Sequence, residues 1–177
     1  MLYSTVTPAH AGAHLGQERR RGLFLIKVRT RFSAALRLHS PDMSEEENFR
    51  LYGRCASPYG HGHDFDVEVA FIGDVDPRTG MVANFYDLQK LIDEQIFDRV
   101  DHTNLNHDVD FLRGVNPTTE NLALKFWQVL EPLVPAGRLF SVTIGERTNN
   151  VVTYFGPDAS PGGIRALLAS QAATPQS

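Results

Sequence analysis

Apolar and polar residues take turns along two stretches of this chain. Phe24, Ile26, Val28 and Thr30 alternate with Leu25, Lys27, Arg29 and Arg31, and the inner parity continues through Phe32, Ala34, Leu36 and Leu38. A period of two marks a strand with one buried face, here with a basic outer face. Phe65, Val67, Val69 and Phe71 alternate in the same way with Asp64, Asp66 and Glu68. Pro41 ends the first strand, and Ser44-Glu45-Glu46-Glu47 has the form of a capping box, which predicts a short helix to about Leu51. Gly73 to Gly80, with Pro77 inside, predicts a turn. Asn84 can cap a helix carrying Leu88, Leu91, Ile92 and Ile96 at helical spacing. Pro117-Thr118-Thr119-Glu120 opens another, whose stripe is Leu122, Phe126, Val129 and Leu130. A last strand pair is expected over 138–146 and 150–155, with Phe140, Val142 and Ile144 on one parity with Glu146. The order predicts an α+β domain with helices against one face of an antiparallel sheet. Residues 1–21 read as a flexible leader, 22–157 as a single domain and 158–177 as a disordered tail.

Composition narrows the function classes. The chain has 177 residues, a net charge of −4 and one cysteine. The charge gives no general attraction to nucleic acid or a membrane surface, and no apolar run approaches a membrane span. One cysteine excludes an internal disulfide framework, so a reducing, cytoplasmic location is expected. There is no glycine-rich phosphate loop and no Gly-x-Ser-x-Gly elbow.

Candidate chemistry concentrates in Cys55 to His63. In an extended His61-Gly62-His63 both imidazoles point the same way, and they share the parity of Phe65. Two neutral imidazoles are two legs of a metal site that suits zinc, and Cys55 lies close enough upstream for its sulfur to share the pocket. Asp101-His102 is either a solvated turn or an oriented proton-transfer pair. Glu146, at the end of an inward row, needs strong hydrogen bonds or a place at the rim.

These residues carry a resemblance. Phe32-Ser33-Ala34-Ala35, Arg37-Leu38-His39-Ser40, Glu46-Glu47-Asn48, Gly53, Cys55, Gly60-His61-Gly62-His63, Asp101-His102, Asn104-Leu105, Thr118-Thr119-Glu120-Asn121, Glu146 and Thr148-Asn149-Asn150 resemble, in order, the 6-pyruvoyl tetrahydropterin synthases, over about 23–156. The resemblance implies the tunnelling fold: four antiparallel strands and a helix pair per subunit, assembled as a homo-oligomer (a trimer, or a homohexamer of two trimers) with sites between subunits. It implies a lyase of tetrahydrobiopterin biosynthesis that eliminates triphosphate from 7,8-dihydroneopterin triphosphate without consuming a redox cofactor. Relatives make 6-carboxytetrahydropterin from the same substrate. Residue by residue, it implies Glu146 as pterin anchor with Thr118 and Thr119 helping, Cys55 as the base, Asp101 and His102 as a second proton-transfer element, and His61 and His63 as zinc ligands.

One position departs. In the family the block after Phe-Ser-Ala ends in a histidine, the third zinc ligand; here Leu36 stands there. His39 does not replace it, being on the opposite strand parity. A catalytic zinc normally has three protein ligands and an open position, so the zinc site is impaired. Several readings stay open: weak zinc completed by water or a foreign ligand, a metal-independent diverged enzyme, a pterin-binding protein without catalysis, or a chain with an exchanged ligand. A retro-aldol reaction on dihydroneopterin is a further possibility.

Overall fold

The computed structural model describes residues 23–146, 150–160 and 162–164. Strand β1 (Phe24–Leu36) and strand β2 (His61–Gly73) pair antiparallel over their whole length, from Phe24 opposite Gly73 to Leu36 opposite His61. Strands β3 (Arg138–Glu146) and β4 (Asn150–Tyr154) complete a sheet of order β1-β2-β3-β4, antiparallel throughout. The alternation behaves as expected: Val28, Phe32, Ala34 and Leu36 are buried, as are Phe65, Val67, Val69 and Phe71.

Helix α1 (Glu45–Tyr52) starts from the expected capping box. Ser44 Oγ accepts from the Glu47 amide, and the Glu47 carboxylate accepts from the Ser44 amide. Helix α2 (Phe85–Ile92) is capped by Asn84 and runs through a π-helical turn (Asp93–Phe97) into α3 (Asp98–Val100). The wider turn keeps Leu88, Ile92, Ile96 and Val100 all buried on the sheet side. Helix α4 (Thr119–Leu130) is capped by Thr118 and buries Leu122, Ala123, Phe126 and Leu130. Phe126 meets Phe32, which stacks on Phe65 with ring centres 4.8 Å apart, so helix and sheet share one core.

The last strand pair departs from strict alternation at one place. The register of β3 on β2 slips between Ala70 and Phe71, so that Ala70 faces Ser141 and Phe71 faces Leu139. Phe140 is the extra residue of this bulge. Leu139 takes the inward place expected for Phe140, which packs instead against Phe155. Past the bulge, Val142, Ile144 and Glu146 keep the expected common face.

The segment after α3 runs beside the outer edge of β1. Ala35 N donates to Thr103 O, Leu105 N to Ala35 O and His102 N to Ser33 O, with a parallel bridge between Ala35 and Asn104. Residues 1–21, Thr148-Asn149 and most of the expected tail lie outside the described residues. No helix among the described residues is long and apolar enough to cross a membrane.

Candidate functional site

The pleat of β2 sets the site. His61, His63 and Phe65 are i, i+2 and i+4 on the inward face, and their rings stack in file, 4.2 Å between the imidazoles and 5.9 Å from His63 to Phe65. His63 lies deep, its side chain 4% exposed. Its Nδ1 is 2.6 Å from Glu146 Oε1, and its Nε2 is 3.9 Å from Cys55 Sγ. Glu146 reaches His63 because β3 ends opposite Phe65, two residues along β2. The inward carboxylate therefore has a partner within the chain.

Cys55 is carried on a 3-10 turn (Gly53–Ala56) that follows α1. Gly53, at φ 57°, turns the chain out of the helix. The turn is fastened to the end of β1: Leu38 N donates to Cys55 O, and Arg37 Nε donates to Ala56 O. Gly60 then brings the chain back to β2 at φ 62°, where a Cβ would stand 2.5 Å from Leu36 O. Only glycine fits that approach.

Cys55, His61 and His63 present one ligand atom each, all within 4.8 Å of one another. A tetrahedral ion with the usual bond lengths spaces its ligands by roughly 3.4–3.7 Å, so the trio is close to a coordination shell and the residues fit a metal ion. His61 adds a second sign. Its Nδ1 is 3.1 Å from Gly62 O, while its Nε2 is buried with no hydrogen-bond partner among the described residues. Such a buried polar atom costs about 1–3 kcal/mol if nothing meets it. Leu36 sits directly across the sheet from His61, 2% exposed, and offers no donor atom. His39 is engaged elsewhere, 3.1 Å from Glu45.

Asp101 and His102 form the second group. Asp101 Oδ2 is 2.6 Å from His102 Nδ1, and Oδ1 accepts from the Ser33 amide at 2.9 Å. That amide first, and then His102, hold the Asp101 carboxyl below the usual carboxylate range, against the opposing effect of burial. His102 has a left-handed backbone (φ 56°), a conformation that a residue with a side chain holds only under constraint. The constraint is the hydrogen bond that its backbone N–H donates to the Ser33 carbonyl. The side chain stands 82% exposed above a cleft of about 530 Å³ lined by Ser33, Ala34, His63, His102, Thr103 and Glu146 among others.

Six of the eight residues singled out in the sequence thus converge in two adjoining groups. Thr118 and Thr119 are at the start of α4, where Thr118 Oγ1 accepts from the Asn121 amide; the lining of the cleft among the described residues does not include them. Sequence reading missed the role of Ser33, whose amide fixes Asp101, and the tie between Glu146 and His63. Ser33 stands within the Phe-Ser-Ala block, but nothing in the spacing links it to a residue 68 positions away.

Comparison with known proteins gives one answer. A family model described as 6-pyruvoyl tetrahydropterin synthase matches residues 25–157. A 6-pyruvoyl tetrahydrobiopterin synthase of Homo sapiens is 44% identical over 131 residues, 74% of this chain and 90% of that protein. One from Poecilia reticulata is 47% identical over 125 residues, 71% of this chain and 85% of the other. Among solved structures, that of Caenorhabditis elegans 6-pyruvoyl tetrahydropterin synthase superposes with a TM-score of 0.72 at 36% identity, covering 77% of this chain and 97% of that one.

Proposed function

This chain belongs to the 6-pyruvoyl tetrahydropterin synthase family, and on that premise we propose that it is a carbon–oxygen lyase acting on 7,8-dihydroneopterin triphosphate, with release of triphosphate. The observation that carries the reading is the convergence on one cleft of an ionisable pair, Asp101–His102, with a carboxylate, Glu146, joined through His63 to the thiol of Cys55.

Each residue has a task that its surroundings suit. Glu146 anchors the pterin: a carboxylate has about four acceptor positions, His63 takes one, and the ring N–H groups of a pterin take others. Thr118 and Thr119, which lie apart from this cleft in a single chain, would help hold the ring of a pterin bound at a neighbouring chain; the Thr118 hydroxyl, accepting at the helix cap, keeps its own proton to donate. Cys55, as thiolate, takes the proton from the side-chain carbon. His102, exposed over the cleft and oriented by Asp101, carries a proton to or from the substrate oxygen or ring. His61 and His63 would hold zinc, which as a Lewis acid on the side-chain oxygens makes the neighbouring C–H more acidic. The active form is a homo-oligomer, trimer or hexamer, in the cytoplasm; the single cysteine suits a reducing compartment.

The test is triphosphate release from 7,8-dihydroneopterin triphosphate, with the pterin product identified by mass. The unaltered chain should release triphosphate, and Cys55→Ala should slow it by at least about 100-fold, the scale of a lost general base. Pterin binding without triphosphate release would make this a binding protein instead. A 6-hydroxymethyl product would make it an aldolase.

A further inference from the structure

We propose that the resting site of this chain takes its metal ion through a Cys55–His61–His63 set, the thiolate of Cys55 filling the ligand place that Leu36 leaves empty of donors. The inference rests on the reading above only in taking these residues as part of the reaction centre.

Three observations converge. The Leu36 side chain lies buried across from His61 and can supply nothing to an ion. Among the described residues the donor that groups with both histidines is Cys55 Sγ, 3.9 Å from His63 Nε2 and within 4.8 Å of the His61 ligand atom. Both imidazoles are also fixed in the ring form that ligation requires. Glu146 and the Gly62 carbonyl can only accept, so Nδ1 is the donor in both rings and Nε2 is the nitrogen available to a ligand, that of His63 lying 3.9 Å from Cys55 Sγ. Metal-bound histidines are held in this way by a carboxylate or carbonyl on the far ring nitrogen. For His61 the inward nitrogen is buried with no other hydrogen-bond partner among the described residues.

The donor chemistry is consistent with the ion. Thiolate and imidazole together suit zinc, and two imidazoles with one thiolate leave a fourth position open. Coordination also keeps the sulfur deprotonated, which is the state its proposed use as a base demands. Cys55 then serves the resting site as a ligand and the reaction as a base, at different moments. In a site with three histidines the cysteine is not needed for metal retention; here it is.

The experiment measures metal directly. The full chain is loaded with zinc, dialysed and assayed for metal content, then loaded with cobalt(II) and examined for the near-ultraviolet band of a thiolate–cobalt bond. The expected result is about one zinc per subunit and a clear charge-transfer band. Cys55→Ser should lose the band and weaken zinc binding by more than the roughly 10–100-fold that loss of an outer partner costs. Leu36→His combined with Cys55→Ser should bind zinc again with no band, which shows that Cys55→Ser folds. Zinc content unchanged in Cys55→Ser, a cobalt complex of the unaltered chain without the band, or no metal retained by that chain would each overturn the proposal. Triphosphate release is read separately. Release without metal retention removes the metal site and leaves the lyase; a thiolate–cobalt band without release does the reverse.

Discussion

Asp101 shows how one residue joins stability to the site. Its carboxylate accepts from the Ser33 amide and from His102, and it titrates below the ordinary carboxylate range for that reason. A carboxyl with a lowered folded value stabilises the native state above its unfolded value, about 3.9 for aspartate. The contribution is lost as pH falls through the lower folded value. Acidification below about pH 4 should therefore loosen the 101–106 segment from β1. Amide exchange at Ser33 should quicken there, and Asp101→Asn should show no such acid step. An exchange rate at Ser33 that follows the same pH course in both proteins would count against it. The chemistry of this residue was half legible in the sequence. The Asp-His adjacency was visible, but the amide that holds the carboxylate comes from a strand 68 positions earlier, and no local pattern contains such a contact.

At the scale of elements, strand period and helix caps were readable because they are set by neighbours in the chain. The alternation of β1 and β2, the capping box of α1 and the Asn84 and Thr118 caps all stand where local chemistry places them. The bulge at Phe140 and the π turn at Asp93–Phe97 were not readable, since each is settled by what packs opposite. Helix α1 is fastened to the segment that follows β1 by a buried side chain. Asn48, fully buried, accepts from the Ser40 amide and donates to the carbonyls of Ser40, Met43 and Ser44. Replacing it by alanine strands these groups, so Asn48→Ala should lower unfolding stability by about 2–3 kcal/mol. Urea unfolding should show a lower midpoint, and because α1 leads directly into the Cys55 turn, reactivity of that thiol should rise in step. A midpoint unchanged from the parent would mean that water replaces the amide without loss.

Across the whole molecule, salt links cover the outer face of the sheet while the inner face holds the core and the site. Lys27 and Arg29 both reach Glu68, and Arg31 reaches Asp66. Burial would raise the Glu68 carboxyl, but the hydrogen bonds from Lys27 and Arg29 prevail and lower it. The basic face read from the sequence is thus answered by acids one strand away, and that neutralisation was implicit in the alternation of β2. What the sequence could not place was the meeting of β3 with β2 that brings Glu146 to His63, 83 positions apart.

The segment lying along β1 limits where a second chain could pair with that strand. It occupies the outer backbone edge of the strand from Ser33 onward, through the bonds to His102, Thr103 and Leu105. Among the described residues no backbone bond reaches that edge from Phe24 to Phe32. A second chain could extend the sheet there but not beyond Phe32, and a strand edge left open among the described residues favours such pairing. Its last pairing residue would stop beside the residues that anchor Asp101. If chains of this protein associate through this half-edge, turnover per mole of chain should fall as the protein is diluted below its dissociation constant, and sedimentation should show smaller species over the same range. Constant specific activity across that dilution would mean that a lone chain carries a working centre. The same strand that builds the reaction centre would then also regulate it, through concentration alone.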